Sequence, residues 1–176
     1  MTATSGGDWV VVAVGANLED PEGRIRRAVA RLQAWAAFDF RTSSLWSSTP
    51  QDCPPSTPRF VNAVVGFRIQ PGWAPETLLD ALQQLERDLG RAPKRVHNEA
   101  RALDLDLIAF GEETRASARL TLPHPRAVSR RFVMEPLAEI LPDFRAPGWA
   151  GTARECLAKV VPDPEFSRIG PMAVPS

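Results

Sequence analysis

Phe60–Ile69 reads Phe-Val-Asn-Ala-Val-Val-Gly-Phe-Arg-Ile, and this stretch decides the fold. Successive side chains of a β-strand point to opposite faces of the sheet, so every second residue shares a face. One face of this stretch is apolar along its whole length, which predicts a strand that packs on the core. That face carries Val61, Ala63, Val65, Phe67 and Ile69.

One helix is predicted before this strand in the sequence and another after it. Pro75 opens one of them, because proline suits the first helical position, and Gly90 stands where a C-cap glycine belongs. Asp20 and Pro21 read as the N-cap and first residue of an earlier helix. Each helix has one apolar stripe with which it can pack on a sheet. The stripes are Ile25, Ala28, Val29, Leu32 and Trp35, and Leu78, Leu79, Leu82, Leu85 and Leu89.

Three further strands complete the pattern. Trp9–Val14 predicts the first strand, Phe38–Ser48 a weaker second one, and Ala102–Phe110 the fourth. The resulting order is that of the ferredoxin-like split βαβ arrangement. We therefore predict an α+β fold with a ferredoxin-like βαββαβ core, in which an antiparallel sheet has its helices on one face. Residues 145–176 form a C-terminal extension that is expected to pack on the core, and residues 1–176 are predicted to be a single domain.

Composition and charge exclude several classes of protein. Lysine plus arginine and aspartate plus glutamate both number 21 among 176 residues, so no net field attracts nucleic acid or an anionic membrane. Cys53 and Cys156 lack metal-ligand spacing and are interpreted as bystander thiols. The first residues show no targeting segment, and no apolar run near the start could span a bilayer. A cytoplasmic monomer is predicted.

Asp104 and Asp106 are the first sign of chemistry. The period of two along a strand places both carboxylates on one face, while Leu103, Leu105 and Leu107 face the core. Neighbouring carboxylates repel each other, and a Mg²⁺ ion, which prefers oxygen ligands, removes that repulsion. Taken alone, the pair fits a solvated strand face with arginine partners equally well.

Cationic side chains surround the acid pair in the sequence. Arginines beside a magnesium pair favour a polyphosphate ligand, although each arginine alone also fits a solvated loop. Because the chain has no glycine-rich phosphate loop, ATP would be held by side chains. His124 could donate to a phosphate or cap a helix. The cations are Arg91, Lys94, Arg95 and Arg101 before the acids, and Arg115, Arg119, Arg126, Arg130 and Arg131 after them.

Several segments together resemble the pterin pyrophosphokinase family of folate biosynthesis, and they cover nearly all of residues 10–142. The most diagnostic stretch is Leu89-Gly90-Arg91 followed by Arg101-Ala102-Leu103-Asp104-Leu105-Asp106. The other segments are specific only in combination, and their order and spacing agree with the family. They are Val14–Leu18, Ser48–Pro50, Phe60–Ala63, Leu122–Pro125 and Arg130–Val133.

The resemblance implies a reaction and a site. ATP, two Mg²⁺ ions and 6-hydroxymethyl-7,8-dihydropterin would be required, the pterin hydroxymethyl oxygen would attack the β-phosphorus of ATP, and AMP would leave. Asp104 and Asp106 would bind Mg²⁺, and Asp106 would also receive the hydroxyl proton. Arg91 and Arg101 would stabilise the transferring charge. The pterin would contact Gly15, Thr49, Pro50, Phe60, Asn62 and Phe132, and ATP would contact Gln83, Glu86, Arg91, Arg101, His124 and Arg130.

Some of these roles have a simpler alternative. Phe60 and Phe132, which would sandwich the pterin ring, could instead pack in the core, and Gln83 and Glu86 are expected on the outward side of the second helix. The chain also departs from the family pattern at residues 97–100, where His-Asn-Glu-Ala stands in place of the common Arg-Trp-Gly-Pro. A catalytically silent pterin-binding paralogue and a ferredoxin-like nucleic-acid-binding module are the alternatives, and the neutral net charge opposes the second.

Overall fold

A computed structural model describes residues 9–50, 56–90 and 102–173. Its helices are α1 (Pro21–Gln33), α2 (Pro75–Asp88), α3 (Arg131–Ile140) and α4 (Ala153–Ala158), with a short 3₁₀ helix at Ala127–Ser129. Its strands are β1 (Val10–Ala16), β2 (Ala36–Thr42), β3 (Leu45–Ser48), β4 (Phe60–Ile69), β5 (Asp104–Phe110), β6 (Arg115–Ala116), β7 (Thr121–Leu122) and β8 (Ser167–Gly170).

The main sheet has the strand order β5-β1-β4-β3-β8, and β2 also pairs with β4. Every pairing in the sheet is antiparallel. When β2 and β3 are taken as one interrupted strand, the first four strands have the ferredoxin-like order in which the first and third are central. The predicted α+β, ferredoxin-like core is therefore confirmed, and β8 adds a strand outside it.

The predicted second strand, Phe38–Ser48, was wrong in its continuity. It is interrupted between β2 and β3, where Ser43 Oγ accepts a hydrogen bond from Val64 N at 2.9 Å and donates one to Ser44 O at 2.7 Å. A serine side chain thus satisfies a backbone donor that the regular ladder would have satisfied, and the strand is interrupted at that point.

Two core clusters lie on opposite faces of the sheet. The first contains the apolar stripes of α1 and α2 and the predicted core face of β4, from Val61 to Phe67. The second contains Val11, Val64 and Ile108 from the sheet with the inner sides of α3 and α4. The prediction of two helices on one face is confirmed for α1 and α2, and the C-terminal part of the chain covers much of the other face.

Local signals also behave as the sequence predicts. The Asp20 carboxylate accepts a hydrogen bond from Gly23 N at 3.2 Å at the start of α1, and Gly90 after α2 has φ +95°. In the C-terminal extension, Trp149 and Cys156 are buried, which confirms that this part packs on the core. Cys53 lies outside the described residues. Within the described residues, no helix is both long and apolar enough to cross a membrane.

Candidate active site

A row of four residues crosses the sheet on the face that α3 partly covers. Trp46 on β3 pairs with Asn62 on β4, Asn62 pairs with Gly15 on β1, and Gly15 pairs with Asp104 on β5. Since strands in a sheet lie about 4.8 Å apart, the row is about 14 Å long. We call these four residues the polar row, and it is long enough to lie beneath a bicyclic ring and a phosphate.

The same face is apolar one step further along the strands. The next position of β1 on this face is Ala13, which pairs with Val64 on one side and with Asp106 on the other. Ala13 and Val64 belong to the second core cluster. The face therefore changes from core to polar surface within one residue pair, and Asp106 lies at that boundary.

Gly15 leaves a recess in the middle of the polar row. A Cβ atom at this position would lie 3.5 Å from Asn62 Oδ1, which is ordinary van der Waals contact. Glycine is therefore not required by crowding here. Its effect is to leave the space between the side chains of Asn62 and Asp104 open, so that a flat ligand can approach the backbone of β1.

Asn62 is held in one orientation. Its side chain is buried, and Nδ2 donates a hydrogen bond to Ser48 Oγ at 2.7 Å. The carbonyl oxygen Oδ1 therefore lies on the side of Gly15. Asn17, at the end of β1, donates from Nδ2 to Pro58 O at 3.2 Å and so ties this end of the sheet to the segment that enters β4. An amide fixed in this way can read the donors and acceptors on the edge of a heterocycle.

The carboxylates of Asp104 and Asp106 are half-buried and lie on the same face, as predicted. Leu105 and Leu107 point into the first core cluster on the other face. Among the described residues, no cluster of three or more histidine, cysteine, aspartate or glutamate side chains could hold a metal ion. Two carboxylates that share a ligand site with phosphate oxygens and water nevertheless suit Mg²⁺, which rarely uses an all-protein cage.

Glu86 was predicted on the outward side of the second helix, and this was wrong. Its side chain is buried on α2, only 4% exposed, and Oε2 accepts a hydrogen bond from Leu105 N at 2.7 Å. The reason is topological: among the described residues β5 is an edge strand, and on its outer side the N–H of Leu105 bonds to the carboxylate of Glu86 instead of to a neighbouring strand. The bond fixes the backbone between the two aspartates. Gln83, one turn earlier, is exposed as predicted.

Removing the Glu86 carboxylate should destabilise the edge of the sheet. Glu86→Ala leaves the N–H of Leu105 buried without this acceptor, so we expect the free energy of unfolding to fall by about 2 kcal/mol. Glu86→Gln keeps an acceptor and should cost less than about 1 kcal/mol. Gln83→Ala, on the exposed side of the same helix, is the matched control. Urea unfolding measures all three, and equal stabilities of Glu86→Ala and Gln83→Ala would contradict the prediction.

His124 lies beside the same edge strand. Its backbone N–H donates to Ile108 O at 2.8 Å, and its ring Nδ1 accepts a hydrogen bond from Arg126 N at 3.2 Å. The second contact orients the ring, but it is not a helix cap, since the donor belongs to Arg126 just before the 3₁₀ helix, which has no side-chain cap. Because Nδ1 accepts, the neutral ring carries its proton on Nε2, which can donate to a phosphate oxygen. The phosphate-donor interpretation of His124 therefore stays a prediction, and the helix-cap interpretation is wrong.

The electrostatics of His124 and Arg130 connect them to the acid pair. Burial lowers the pKa of His124 below its ordinary value, Arg130 and Arg126 lower it further, and Asp104 opposes the shift. Burial also lowers the pKa of Arg130, while Asp106 and then Asp104 favour its cationic form. A guanidinium stays charged at neutral pH despite such a shift. One cation and one neutral hydrogen-bond donor therefore lie within electrostatic reach of the two carboxylates.

The predicted cationic cluster is smaller than the sequence indicated. Arg115 forms ion pairs with Glu76 at 2.7 Å and with Glu113 at 2.9 Å, and Arg119 pairs with Asp80. Glu76 and Asp80 lie on α2, so these arginines tie the β6–β7 hairpin to that helix. Sequence proximity misled here because the hairpin carries both arginines away from the carboxylates on β5. The cations predicted before the acids, Arg91, Lys94, Arg95 and Arg101, lie outside the described residues.

The predicted pterin contacts lie around the half of the polar row formed by β3 and β4. Phe60 is on the same face of β4 as Asn62, and it pairs with Ser48, the residue before Thr49 and Pro50. Phe132, in the first turn of α3, packs only partly on the second core cluster, and the guanidinium carbon of Arg130 lies 5.4 Å from its ring centroid. Neither phenylalanine is a core residue, so each presents part of its ring to solvent.

Two residues of this face received no role of their own in the sequence interpretation, although Ser48 belongs to one of the family-like segments. Trp46 completes the polar row, and Ser48 orients Asn62 through the 2.7 Å hydrogen bond. Both lie in β3, the short strand that the sequence read only as part of a longer one. Trp46 and Ser48 alternate along β3 and share the face of Asn62. Their place beside Asn62 follows only from the register between β3 and β4, which the sequence does not provide.

The fold and the site together define a ferredoxin-like α+β protein with a carboxylate pair, a cation and a donor histidine, which are groups suited to phosphoryl transfer. The family model for 7,8-dihydro-6-hydroxymethylpterin-pyrophosphokinase (HPPK) matches residues 11–142. The chain belongs to this family. The family's pyrophosphate transfer in folate biosynthesis is accordingly its activity, and the nucleic-acid-binding alternative has no support.

Similar proteins agree with this assignment. The 2-amino-4-hydroxy-6-hydroxymethyldihydropteridine pyrophosphokinase of Pseudomonas aeruginosa is 38% identical over 139 residues, which cover 78% of this chain and 83% of that protein. The protein of the same name from Synechocystis is 34% identical over 150 residues, or 85% of this chain and 75% of that protein. The crystal structure of wild-type Plasmodium falciparum HPPK-DHPS with pteroate superposes with a TM-score of 0.65 at 11% identity. It matches 90% of this chain, which spans only 43% of the solved one, and it supports the fold alone.

Proposed function

We propose that the face bearing the polar row transfers the diphosphate of ATP to the hydroxymethyl group of 6-hydroxymethyl-7,8-dihydropterin. The observation that supports this most directly is the register of β4, β1 and β5, in which Asn62, Gly15 and Asp104 are consecutive partners. A ring bound at Asn62 would lie over Gly15 with its substituent directed towards the aspartates. The residue that binds the pterin ring and the carboxylates that serve the diphosphate transfer would then lie at neighbouring positions of the polar row.

The reaction needs positioning and charge neutralisation more than covalent participation. The hydroxymethyl oxygen attacks the β-phosphorus of ATP, the bond from that phosphorus to the oxygen bridging to the α-phosphorus breaks, and AMP leaves with that oxygen. Asp106 accepts the hydroxyl proton. Arg130 and His124 donate to phosphate oxygens, and Arg91 and Arg101 stabilise the charge on the transferring group.

Asp104 and Asp106 would hold two Mg²⁺ ions together with the phosphate oxygens. When bound, the ions neutralise the phosphates and remove the repulsion between the two carboxylates. Gln83 and Glu86 are the remaining proposed ATP contacts. Exposed Gln83 is available to a nucleotide, whereas Glu86 already bonds to the backbone of β5 and would act mainly by fixing that strand.

Pterin recognition is proposed to combine stacking with edge recognition. Phe60 and Phe132 would lie on the two sides of the ring, and Asn62 would hydrogen-bond its polar edge. Thr49 and Pro50, which directly follow β3, and the backbone of Gly15 would complete the pocket. The fixed amide of Asn62 favours a heterocycle with complementary donors over a purely apolar ring, because an unpaired buried polar group is costly.

AMP release tests the function directly. Purified protein is given ATP, Mg²⁺ and 6-hydroxymethyl-7,8-dihydropterin, with one control lacking the pterin and another containing EDTA. Pterin-dependent and metal-dependent AMP is expected. Pterin binding without AMP release would instead identify the silent pterin-binding paralogue. Equal AMP release with and without the pterin would identify a different acceptor of the diphosphate.

The protonation of His124 offers a separate test. Its lowered pKa means that the fold favours the neutral ring, so its contribution to stability is present above about pH 6.5 and is lost as the pH falls through the folded value. Bound phosphates favour the imidazolium, so Mg-ATP should move the NMR titration midpoint upwards. His97→Gln removes the signal of the second histidine. A midpoint that ATP does not move would exclude His124 from the phosphate site.

The location, the oligomeric state and the number of domains of the protein stay predictions. A cytoplasmic location, a monomeric state and a single domain over residues 1–176 agree with the ordinary composition and length of the chain. Sedimentation at several protein concentrations tests the monomer.

The chain departs from the family pattern at residues 97–100, and a comparison of its ATP affinity with that of a relative would test the effect of this change.

A further inference from the structure

Part of the C-terminal extension borders the face that carries the polar row, at the Trp46 end of that row. We call residues 160–166 the tail segment. The ring of Phe166 stacks on Trp46 of the polar row, with centroids 5.2 Å apart and planes 12° from parallel. Immediately afterwards β8 pairs with β3, with Arg168 opposite Trp46. The tail segment is thus held on the sheet through the strand that precedes Thr49.

Two arginines connect the tail segment to the two proposed stacking residues. Arg59 directly precedes Phe60, and its Nη2 donates to Glu165 O while its Nη1 lies 3.6 Å from the Glu165 carboxylate. Arg131 directly precedes Phe132, and its Nη2 donates to Val160 O at 3.2 Å. Each phenylalanine is therefore one residue away from a side chain that bonds to one end of the tail segment.

A cleft of 220 Å³ lies between the tail segment and this part of the sheet. Phe132 and Thr49, both proposed pterin contacts, line one side of it. The residues of the tail segment that line it are Val160, Val161, Pro162, Asp163 and Phe166, and Ser48, Ser129 and Arg131 complete the lining. The tail segment is thus a wall beside the proposed pterin pocket as well as a link between its two phenylalanines.

We propose that the tail segment is a positioning element for the pterin, which sets the separation of Phe60 and Phe132. This rests on the proposed function. A flat ring needs about 3.5 Å of van der Waals distance on each side, so the two phenylalanines must be held roughly 7 Å apart. They belong to different elements, β4 and α3, and the tail segment bonds to the neighbour of each. Holding them at that separation before the ligand arrives lowers the cost of binding.

Each contact alone is weak. Arg59 and Glu165 are 43% and 67% exposed in their side chains, and an exposed ion pair contributes little. The stacking on Trp46 and the pairing of β8 with β3 act on the same segment, so the contacts support one another. The expected effect of removing one contact is accordingly modest, and removing two contacts to the same segment should show coupling.

The test compares Arg59→Met, Arg131→Met, their double variant and Phe166→Ala. Methionine keeps most of the side-chain length and removes the hydrogen bonds. Binding of 6-hydroxymethyl-7,8-dihydropterin is followed by its fluorescence in the presence of Mg²⁺ and α,β-methylene-ATP. Each single variant should raise the pterin Kd by about 3- to 10-fold, leave the Kd of the ATP analogue unchanged and change kcat by less than about 2-fold. The double variant should deviate from the product of the two single effects.

Arg154→Met is the matched control, because Arg154 is an exposed arginine of the C-terminal extension whose ion-pair partner, Asp143 at 3.7 Å, lies outside the tail segment. Unchanged pterin Kd in all four variants would overturn the proposal. An equal loss of affinity for pterin and ATP analogue, accompanied by a lower Tm, would also overturn it, since it would indicate general loosening. Wild-type protein that does not bind the pterin would overturn the proposed function itself, and that result is distinguishable from both.

Discussion

Asp106→Asn is expected to lower kcat for pterin-dependent AMP release by about 10³-fold, the order of magnitude of a lost general base. The substitution keeps the shape of the side chain and an oxygen that can touch a metal ion, but it removes the charge and the capacity to accept a proton. Asp106 lies where the polar face of the sheet meets the second core cluster, and it is the carboxylate that most favours the charged form of Arg130. Its loss therefore affects both the proton and the balance of charge.

Asp104→Asn should behave differently, because Asp104 is proposed as a metal ligand alone. Its activity should be lower at limiting Mg²⁺ and partly restored by excess Mg²⁺, whereas no Mg²⁺ concentration should restore Asp106→Asn. Asp143→Asn, on an exposed carboxylate paired with Arg154, is the control for the loss of one surface charge. A kcat of Asp106→Asn within threefold of wild type at saturating Mg²⁺ would exclude the proposed role as base.

Asn62→Ala is the second variant with a large expected effect. Removing a buried amide that pairs with the ring edge leaves ligand groups without partners, which costs about 2 to 3 kcal/mol and corresponds to roughly 30- to 150-fold in the pterin Kd. The affinity for ATP should not change, since Asp104, Arg130 and His124 are untouched. Fluorescence titration with the pterin and a separate titration with an ATP analogue measure the two effects.

Ser48→Ala provides a graded comparison for Asn62. It removes only the acceptor that orients Nδ2 of Asn62, at 2.7 Å, so its effect on the pterin Kd should be about 10-fold or less. If Ser48→Ala raises the pterin Kd as much as Asn62→Ala does, the amide of Asn62 contributes to pterin binding only when Ser48 holds it in its orientation. No effect of Asn62→Ala on pterin binding would remove the polar row from the pterin site.

Short-range patterns were sufficient for much of the fold. The apolar alternation of Phe60–Ile69, the helix signals at Asp20–Pro21 and Pro75, and the glycine at position 90 each depend on neighbours a few residues away, and each is confirmed. The predicted β2–β3 strand was wrong in its continuity, because its interruption depends on a hydrogen bond between Ser43 and Val64, 21 residues apart.

Some features of the candidate site also follow from short-range patterns, and others depend on the tertiary structure. The common face of Asp104 and Asp106 follows from the period of a strand, and the structure confirms it. The burial of Glu86 is partly a property of the helix, since with 3.6 residues per turn Glu86 lies between Leu82 and Leu79 within the leucine stripe of α2, whereas Gln83 lies outside it. The helix does not determine the partner of that carboxylate, which depends on β5 being an edge strand of the sheet among the described residues. The same holds for Arg115 and Arg119, which the hairpin places beside α2.

By itself the sequence determined the classes of element, their order, the shared face of the two aspartates and, through resemblance, the family. Tertiary structure alone decided the register that makes Trp46, Asn62, Gly15 and Asp104 one row, the distribution of the arginines, and the stacking of Phe166 of the tail segment on Trp46. The physical reason is range: periodicity and capping are properties of neighbouring residues, whereas register, edge position and the contacts of Arg59 and Arg131 with the tail segment depend on residues brought together only by the packed sheet.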